Sequence, residues 1–180
     1  PHKIVFAADT DKFCEQTYFE NYNITEEQWF TDVVQLDGKQ FKDKVDIIVG
    51  GSPCQSFSMV GKRKGLEDER GNLIYDFMRI VNDSSPSFFI FENVKGLLTH
   101  DGGNTWKTIY ADFEKLGYHL SYQIMNAKKY GIPQNRERLF LVGQKSSKFK
   151  FPEEIPLDIT MQDLLENNPQ SKYYLKEKGV

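Results

Sequence analysis

Short continuous apolar runs alternate with amphipathic stretches along this chain. Ile4-Val5-Phe6-Ala7-Ala8 predicts a buried strand. Asp11 to Tyr22 predicts a helix, with Phe13, Thr17 and Tyr18 at helical spacing and Asp11 near its start. Val45-Asp46-Ile47-Ile48-Val49 predicts a second strand that stops at Gly50-Gly51. Asn72 to Asp83 places Leu73, Phe77, Ile80 and Val81 on one helical face. Ser87-Phe88-Phe89-Ile90-Phe91 predicts a third long strand, and Asn104 to Leu116 a helix capped by Gly117. Tyr118 to Met125 and Arg138 to Val142 predict two late strands around a loop, and Asp32-Val33 ends a further short one.

Apolar strands separated by helices imply a parallel sheet covered on both faces. The expected class is α/β, a Rossmann-like doubly wound, mostly parallel sheet with its sites at the carboxyl ends of the strands. No internal repeat or low-complexity segment interrupts the pattern. Beyond Lys145 it weakens: Pro152 and Pro156 break structure, Thr160 to Glu166 predicts a short capped helix, and Asn167 to Val180 is polar.

Composition narrows the choices. The 180 residues suffice for one domain with a sizeable core, and 39% hydrophobic against 27% charged excludes wholesale disorder. A net charge of −3 is not that of a generally basic nucleic-acid binder. No apolar run reaches the roughly 20 residues a membrane helix needs, and Pro1-His2-Lys3 opens nothing like a signal peptide. Cys14 and Cys54 are too few for a disulfide framework and suit a reducing, cytoplasmic setting. His2, His100 and His119 are too scattered to predict a zinc site.

Three segments carry chemistry. Gly50-Gly51-Ser52-Pro53-Cys54-Gln55-Ser56-Phe57-Ser58 follows a buried strand, and its glycines allow a tight turn and close approach by a ligand. Cys54 reads as a nucleophile held between Pro and Gln, or as a small apolar filler. Phe91-Glu92-Asn93-Val94 brings a carboxyl out of an apolar run, the surroundings a general acid needs; the alternative is a strand-end Glu turned to water. In Gln134-Asn135-Arg136-Glu137-Arg138 two arginines at alternate positions enter a strand on one face. They can grip a carboxylate, a phosphate or a base oxygen, or stand solvated on an edge. Asp9, just past the first strand, sits where acids bind ribose in nucleotide folds.

Together, from about Ile4 to Leu165, these segments resemble the cytosine-5 DNA methyltransferases, the bacterial modification enzymes in particular. Gly51-Ser52-Pro53-Cys54-Gln55 is similar to the family's nucleophile loop, Glu92-Asn93-Val94 to its Glu-Asn-Val motif, and Gln134 to Arg138 to its Gln-x-Arg-x-Arg motif, all in family order. The resemblance implies that Cys54 attacks carbon 6 of cytosine and Glu92 acts on ring nitrogen 3. It implies that Arg136 and Arg138 hold the base oxygen and the Glu. It implies S-adenosylmethionine as cofactor, with Asp9 on the ribose, Asp32 and Val33 on the adenine edge, and Thr10, Pro53 and Leu73 as neighbours. Thr10 stands where the family often has a larger stacking residue. Gln55, Ser56, Ser58, Lys62 and Arg63 are implied to meet double-stranded DNA; Ser56 to Gly71 matches the family's mobile catalytic loop, where Lys62, Arg63, Lys64 and Arg70 supply local positive charge. The implied setting is the bacterial cytoplasm, associated with the nucleoid, with no membrane and no metal.

The family's glycine-rich first motif falls before the segment matched by Ile4 to Ala8, and its target-recognition domain falls after Val180. The expectation is therefore a partial catalytic domain over 1–180, incomplete at both ends and possessing only part of the cofactor site. It would derive from a longer enzyme, or be one part of a split enzyme completed by a second polypeptide. Two other readings are an inactive scaffold or assembly partner, and a thiol enzyme on an unrelated nucleotide-binding fold.

Overall fold

A computed structural model describes residues 2–53 and 69–174, with only the backbone of 69–72. Its strands are β1 (Ala7–Ala8), β2 (Trp29–Phe30), β3 (Ile47–Gly51), β4 (Phe88–Val94), β5 (His119–Asn126) and β6 (Glu137–Gln144). The α-helices are α1 (Lys12–Asn21), α2 (Glu69–Ser84) and α3 (Asn104–Glu114), joined by short 3-10 turns. Contacts divide the chain into two units, Pro1–Ile124 with Arg138–Phe151, and Met125–Glu137 with Pro152–Val180.

The order of elements is the expected α/β alternation, in two sheets rather than one. β1 pairs with β2 in parallel, and the other four strands run in the order β3-β4-β6-β5. β3 and β4 are parallel, while β6 returns antiparallel to β4. Local chemistry sets the helix ends. Asp11 Oδ1 accepts the Phe13 N–H at 2.7 Å and starts α1. Gly117, at φ 79°, turns the chain out of α3 into β5.

The core of the first unit lies on one face of the four-stranded sheet. Ile48, Phe89, Phe91, Leu139 and Leu141 point to that face by strand alternation, and all are buried. Ile74, Met78 and Val81 of α2, and Trp106, Ile109 and Phe113 of α3, cover them at helical spacing. Phe113 lies 5.5 Å from Phe89 and 5.4 Å from Phe91 between ring centroids. The alternate residues of β3, Ile47 and Val49, face the other way and remain 51% and 66% exposed. The expected burial of both faces is thus corrected for this strand.

Strand limits also differ from the sequence expectation. β1 is two residues rather than five, because the carbonyls of Ile4 and Val5 meet the Gln28 side-chain amide at 2.6 and 3.5 Å instead of a ladder partner. β4 runs on through Glu92 and Asn93, because Glu92 pairs with Gly51 on one side and Phe140 on the other.

In the second unit, a parallel bridge joins Tyr130 to Ile155, and Lys129 Nζ meets Glu154 Oε1 at 2.7 Å. Thr160 and Asp163 cap a single 3-10 turn, Met161–Leu164, where the sequence predicts a longer helix.

Candidate active site

Glu92 lies within β4, so the pleat of the strand fixes where its side chain points. Opposite it on β3 stands Gly51. A Cβ at Gly51 would lie 2.9 Å from the Glu92 carbonyl oxygen and 3.0 Å from Oε2. The glycine is thus what lets the carboxylate stand against the end of β3. From the other side comes Arg138 on β6, which pairs with Val94 of β4 and so stands diagonal to Glu92, two positions along. Arg138 Nε stands 2.9 Å from Glu92 Oε1, with side chains 24% and 32% exposed. This is a charge-assisted hydrogen bond in a partly desolvated place. The apolar isolation expected for Glu92 is therefore replaced by a cationic partner.

Asn93 is buried, its side chain turned to the opposite face of β4. Its Nδ2 donates to Ser52 Oγ at 3.0 Å and approaches the Ser52 carbonyl at 3.4 Å. Its Oδ1 accepts the Val94 N–H at 2.9 Å. The Glu-Asn-Val segment therefore makes two contacts with the Gly-Ser-Pro segment, Glu92 at Gly51 and Asn93 at Ser52. Pro53, exposed, is the last described residue there. Cys54, Gln55, Ser56, Ser58, Lys62 and Arg63 lie outside the described residues.

A second group gathers at the carboxyl ends of β1 and β2. The Asp9 N–H donates to the Phe30 carbonyl at 3.1 Å, which carries the parallel pairing one residue past β1. Asp9 and Thr10 are exposed; Asp32 and Val33 are half-buried just beyond β2. Asp9 Oδ1 accepts the Asp11 N–H at 2.8 Å. Asp32 Oδ1 accepts from Val34 N at 2.9 Å, and Oδ2 from Gln35 Nε2 at 3.2 Å. Leu73 is half-buried near the start of α2. This helix packs so closely on β3 that a Cβ at Gly50 would lie 2.8 Å from the Phe77 ring.

Arg136 does not share a strand with Arg138. β6 begins at Glu137, and Arg136 belongs to the second unit, where it is exposed. Its backbone is fixed by Asn126, whose Oδ1 accepts the Arg136 N–H at 3.2 Å while Nδ2 donates to Asn135 Oδ1 at 2.8 Å. Strand alternation consequently does not align the two arginines. Sequence reasoning left the side chains of Asn93 and Asn126 without a role; the structure shows each hydrogen-bonding one of the motif segments, Asn93 to Ser52 and Asn126 to Asn135 and the Arg136 backbone.

Cys14, the other thiol, is exposed on α1. Partial desolvation, then the Asp9 and Asp11 carboxylates, push its thiol above the ordinary value and disfavour thiolate. Among the described residues, no three His, Cys, Asp or Glu side chains gather as a metal site, and no helix is long and apolar enough to cross a membrane.

Solved structures define the class as the α/β methyltransferase fold. The Entamoeba histolytica methyltransferase EhMeth matches with a TM-score of 0.75 at 18% identity, over 96% of this chain and 55% of that one. A Spodoptera frugiperda DNMT2 variant matches with 0.73 at 20% identity, over 98% and 56%. The chain belongs to the C-5 cytosine-specific DNA methylase family, whose profile matches residues 2–180. It is 39% identical to the type II methyltransferase M.SsoII of Shigella sonnei, over 97% of this chain and 46% of that protein. It is also 39% identical to the orphan methyltransferase M.SPRI of Bacillus phage SPR, over 94% and 38%. The chain spans 38% to 56% of the length of these and six further curated relatives.

Proposed function

We propose that the protein transfers a methyl group from S-adenosylmethionine to carbon 5 of a cytosine turned out of duplex DNA, through a covalent bond between Cys54 Sγ and carbon 6. The observation that carries this reading is the Glu92–Arg138 pair, 2.9 Å apart, set against Gly51 three residues before Cys54. A nucleophile, a group acting on ring nitrogen 3 and a cation orienting that group are what the reaction asks of a protein.

Cys54 thiolate adds to carbon 6 while Glu92 hydrogen-bonds or protonates nitrogen 3, so electron density moves to carbon 5. S-adenosylmethionine, when bound, would supply an electrophilic methyl group; carbon 5 bonds to that carbon as its bond to the sulfonium sulfur breaks, and S-adenosylhomocysteine is the leaving group. A base removes the carbon 5 proton, the ring double bond re-forms, Cys54 leaves as thiolate, and a proton taken by nitrogen 3 returns to Glu92. Arg138 holds Glu92 in place, and Arg136 is assigned to the base oxygen. Bringing the base out of the duplex costs a few kcal/mol; Lys62 and Arg63 are assigned to phosphate contacts that offset it, and Gln55, Ser56 and Ser58 to further contacts with the DNA.

The strand-end acids fit the cofactor. Carboxylates accept hydrogen bonds from ribose hydroxyls and from an exocyclic amine, and each carboxylate oxygen has a second lone pair beyond its local bond. Asp9 is assigned to the ribose, Asp32 and Val33 to the adenine edge, and Thr10, Pro53 and Leu73 to the surrounding wall. Residues 1–180 are read as part of a catalytic domain acting in the bacterial cytoplasm on nucleoid DNA. Incubating the full-length protein with methyl-labelled S-adenosylmethionine and unmethylated duplex DNA should give labelled 5-methylcytosine on digestion. Label at adenine N6 or cytosine N4 instead would overturn the reading.

A further inference from the structure

We propose that Arg79 is a positioning residue for the adenine end of the cofactor, acting through the Asp32–Leu36 turn that its guanidinium holds against α2. This rests on the assignment of Asp32 and Val33 to the adenine edge. Arg79 sits on α2, 43 to 46 positions along the chain from the backbone it binds. Nη1 donates to the Leu36 carbonyl at 2.6 Å. Nη2 donates to the Val33 carbonyl at 2.7 Å and approaches that of Val34 at 3.1 Å. Asp76, one turn earlier, takes the same guanidinium at 3.0 Å and keeps the fork in place. Three carbonyls of one five-residue turn therefore converge on one cation.

From within the turn, Asp32 Oδ1 takes the Val34 N–H, and Leu36 N–H donates to the Val33 carbonyl at 3.3 Å. The carboxylate assigned to adenine is thus built into the turn whose carbonyls Arg79 gathers. The following turn, Gly38–Phe41, is held against the same helix: a Cβ at Gly38 would lie 2.8 Å from Asp83 Cβ and 3.1 Å from the Ile80 carbonyl oxygen. Since α2 also packs Phe77 on Gly50, one rigid helix sets both the adenine segment and the end of β3. A planar fork of donors can serve three carbonyls at once; a lysine ammonium at the same place is a point charge on a flexible stem. A shift of the turn would move Asp32 off the adenine amine, and ribose binding by Asp9 would remain.

That asymmetry gives the test. Calorimetric titrations of the full-length protein would use S-adenosylhomocysteine and its inosine analogue, in which the 6-amino group is replaced by oxygen. Arg79→Lys is expected to weaken the adenine ligand about tenfold and to change the inosine ligand less than about threefold, so that the preference for adenine collapses. Asp32→Ala should collapse it likewise, and the double variant should lose no more than Asp32→Ala alone. Equal weakening of both ligands by Arg79→Lys, or no weakening of either, would overturn the positioning role. Failure of the unaltered protein to bind S-adenosylhomocysteine would instead remove the cofactor assignment and this proposal with it. If Arg79→Lys does not fold, Asp76→Asn is judged by the same criterion, with a smaller loss confined to the adenine ligand expected.

Discussion

The Asn93 side-chain amide donates to Ser52 Oγ at 3.0 Å, joining the end of β4 to the residue two places before Cys54. The bond is made by a side chain that is 1% exposed and ties the residue that follows β3 to β4. Asn93→Ala leaves the Ser52 hydroxyl without this donor and opens a space beside the core. It is expected to cost about 1–3 kcal/mol in urea unfolding. Ser52→Ala should cost less, and the double variant less than the sum of the two, since the removed groups share one bond. Strict additivity would show that the two side chains do not cooperate.

Gly51 is where the site leaves no room. A methyl group there would press on the carbonyl oxygen of Glu92 at 2.9 Å, which cannot swing aside, and on Oε2 at 3.0 Å. Gly51→Ala should therefore displace the carboxylate from Arg138. An ångström of misplacement at a reacting group costs up to about a hundredfold in rate, so methyl transfer should fall by at least tenfold. Affinity for DNA, measured by fluorescence anisotropy, should change by less than about twofold, because phosphate contacts dominate it. A variant with full transfer activity would separate Glu92 placement from catalysis.

The sequence made the elements and motifs legible to different degrees. Apolar runs locate β3 and β6 within two residues at each end and the start of β4 within one, because burial on a covered face demands continuous hydrophobics. The break into two sheets was not legible, since pairing between strands is not written in either strand's own pattern. Periodicity alone ended β4 at Phe91, because Glu92 and Asn93 are polar; cross-strand partners Gly51, Phe140 and Leu139 carry the ladder through them. The Glu92–Arg138 pair follows from two motifs 46 residues apart, and only the antiparallel register of β4 and β6 turns them into neighbours. Arg136 looked equivalent to Arg138 by spacing, yet the strand starts between them. Nothing in the sequence singles out Arg79, because its three carbonyl partners belong to a turn 43 to 46 positions away that sequence spacing cannot place.

Asp112 links α3 to α2 and gives the fold a measurable response to acid. Lys115 Nζ donates to its Oδ1 at 2.6 Å and Tyr75 Oη to its Oδ2 at 3.1 Å. The Lys115 bond, then the Tyr75 bond, hold this carboxyl below the ordinary range against a partial desolvation that opposes them. A folded-state value below the unfolded one of about 3.9 means stabilisation present above that pH and lost as pH falls through the folded value. Asp112→Asn should cost no more than about 1 kcal/mol near neutrality, because Lys115 is 75% exposed and well screened. The difference between the two proteins should shrink as pH drops below about 4. Thermal melts at pH 7 and pH 3 compare the two directly, and a gap that widens in acid would reverse the assignment.

The covalent step tests the nucleophile itself. If Cys54 attacks carbon 6, a cytosine bearing fluorine at carbon 5 should trap the full-length enzyme. Attack and methyl transfer proceed, but carbon 5 then carries no removable proton, so Cys54 cannot leave. Fluorinated duplex DNA with S-adenosylmethionine should give an adduct that survives denaturing electrophoresis. Cys54→Ser should abolish it, because a hydroxyl is far less ionised than a thiol at neutral pH. Glu92→Gln should slow its formation strongly and leave DNA binding largely intact, since the acid acts on charge developing in the ring and not on phosphates. Cys14→Ser should leave the adduct unchanged: Cys14 is exposed on α1, and partial desolvation, then the Asp9 and Asp11 carboxylates, oppose thiolate formation. An adduct that persists in Cys54→Ser and disappears in Cys14→Ser would move the nucleophile to α1 and undo the roles given to Gly51, Ser52 and Glu92.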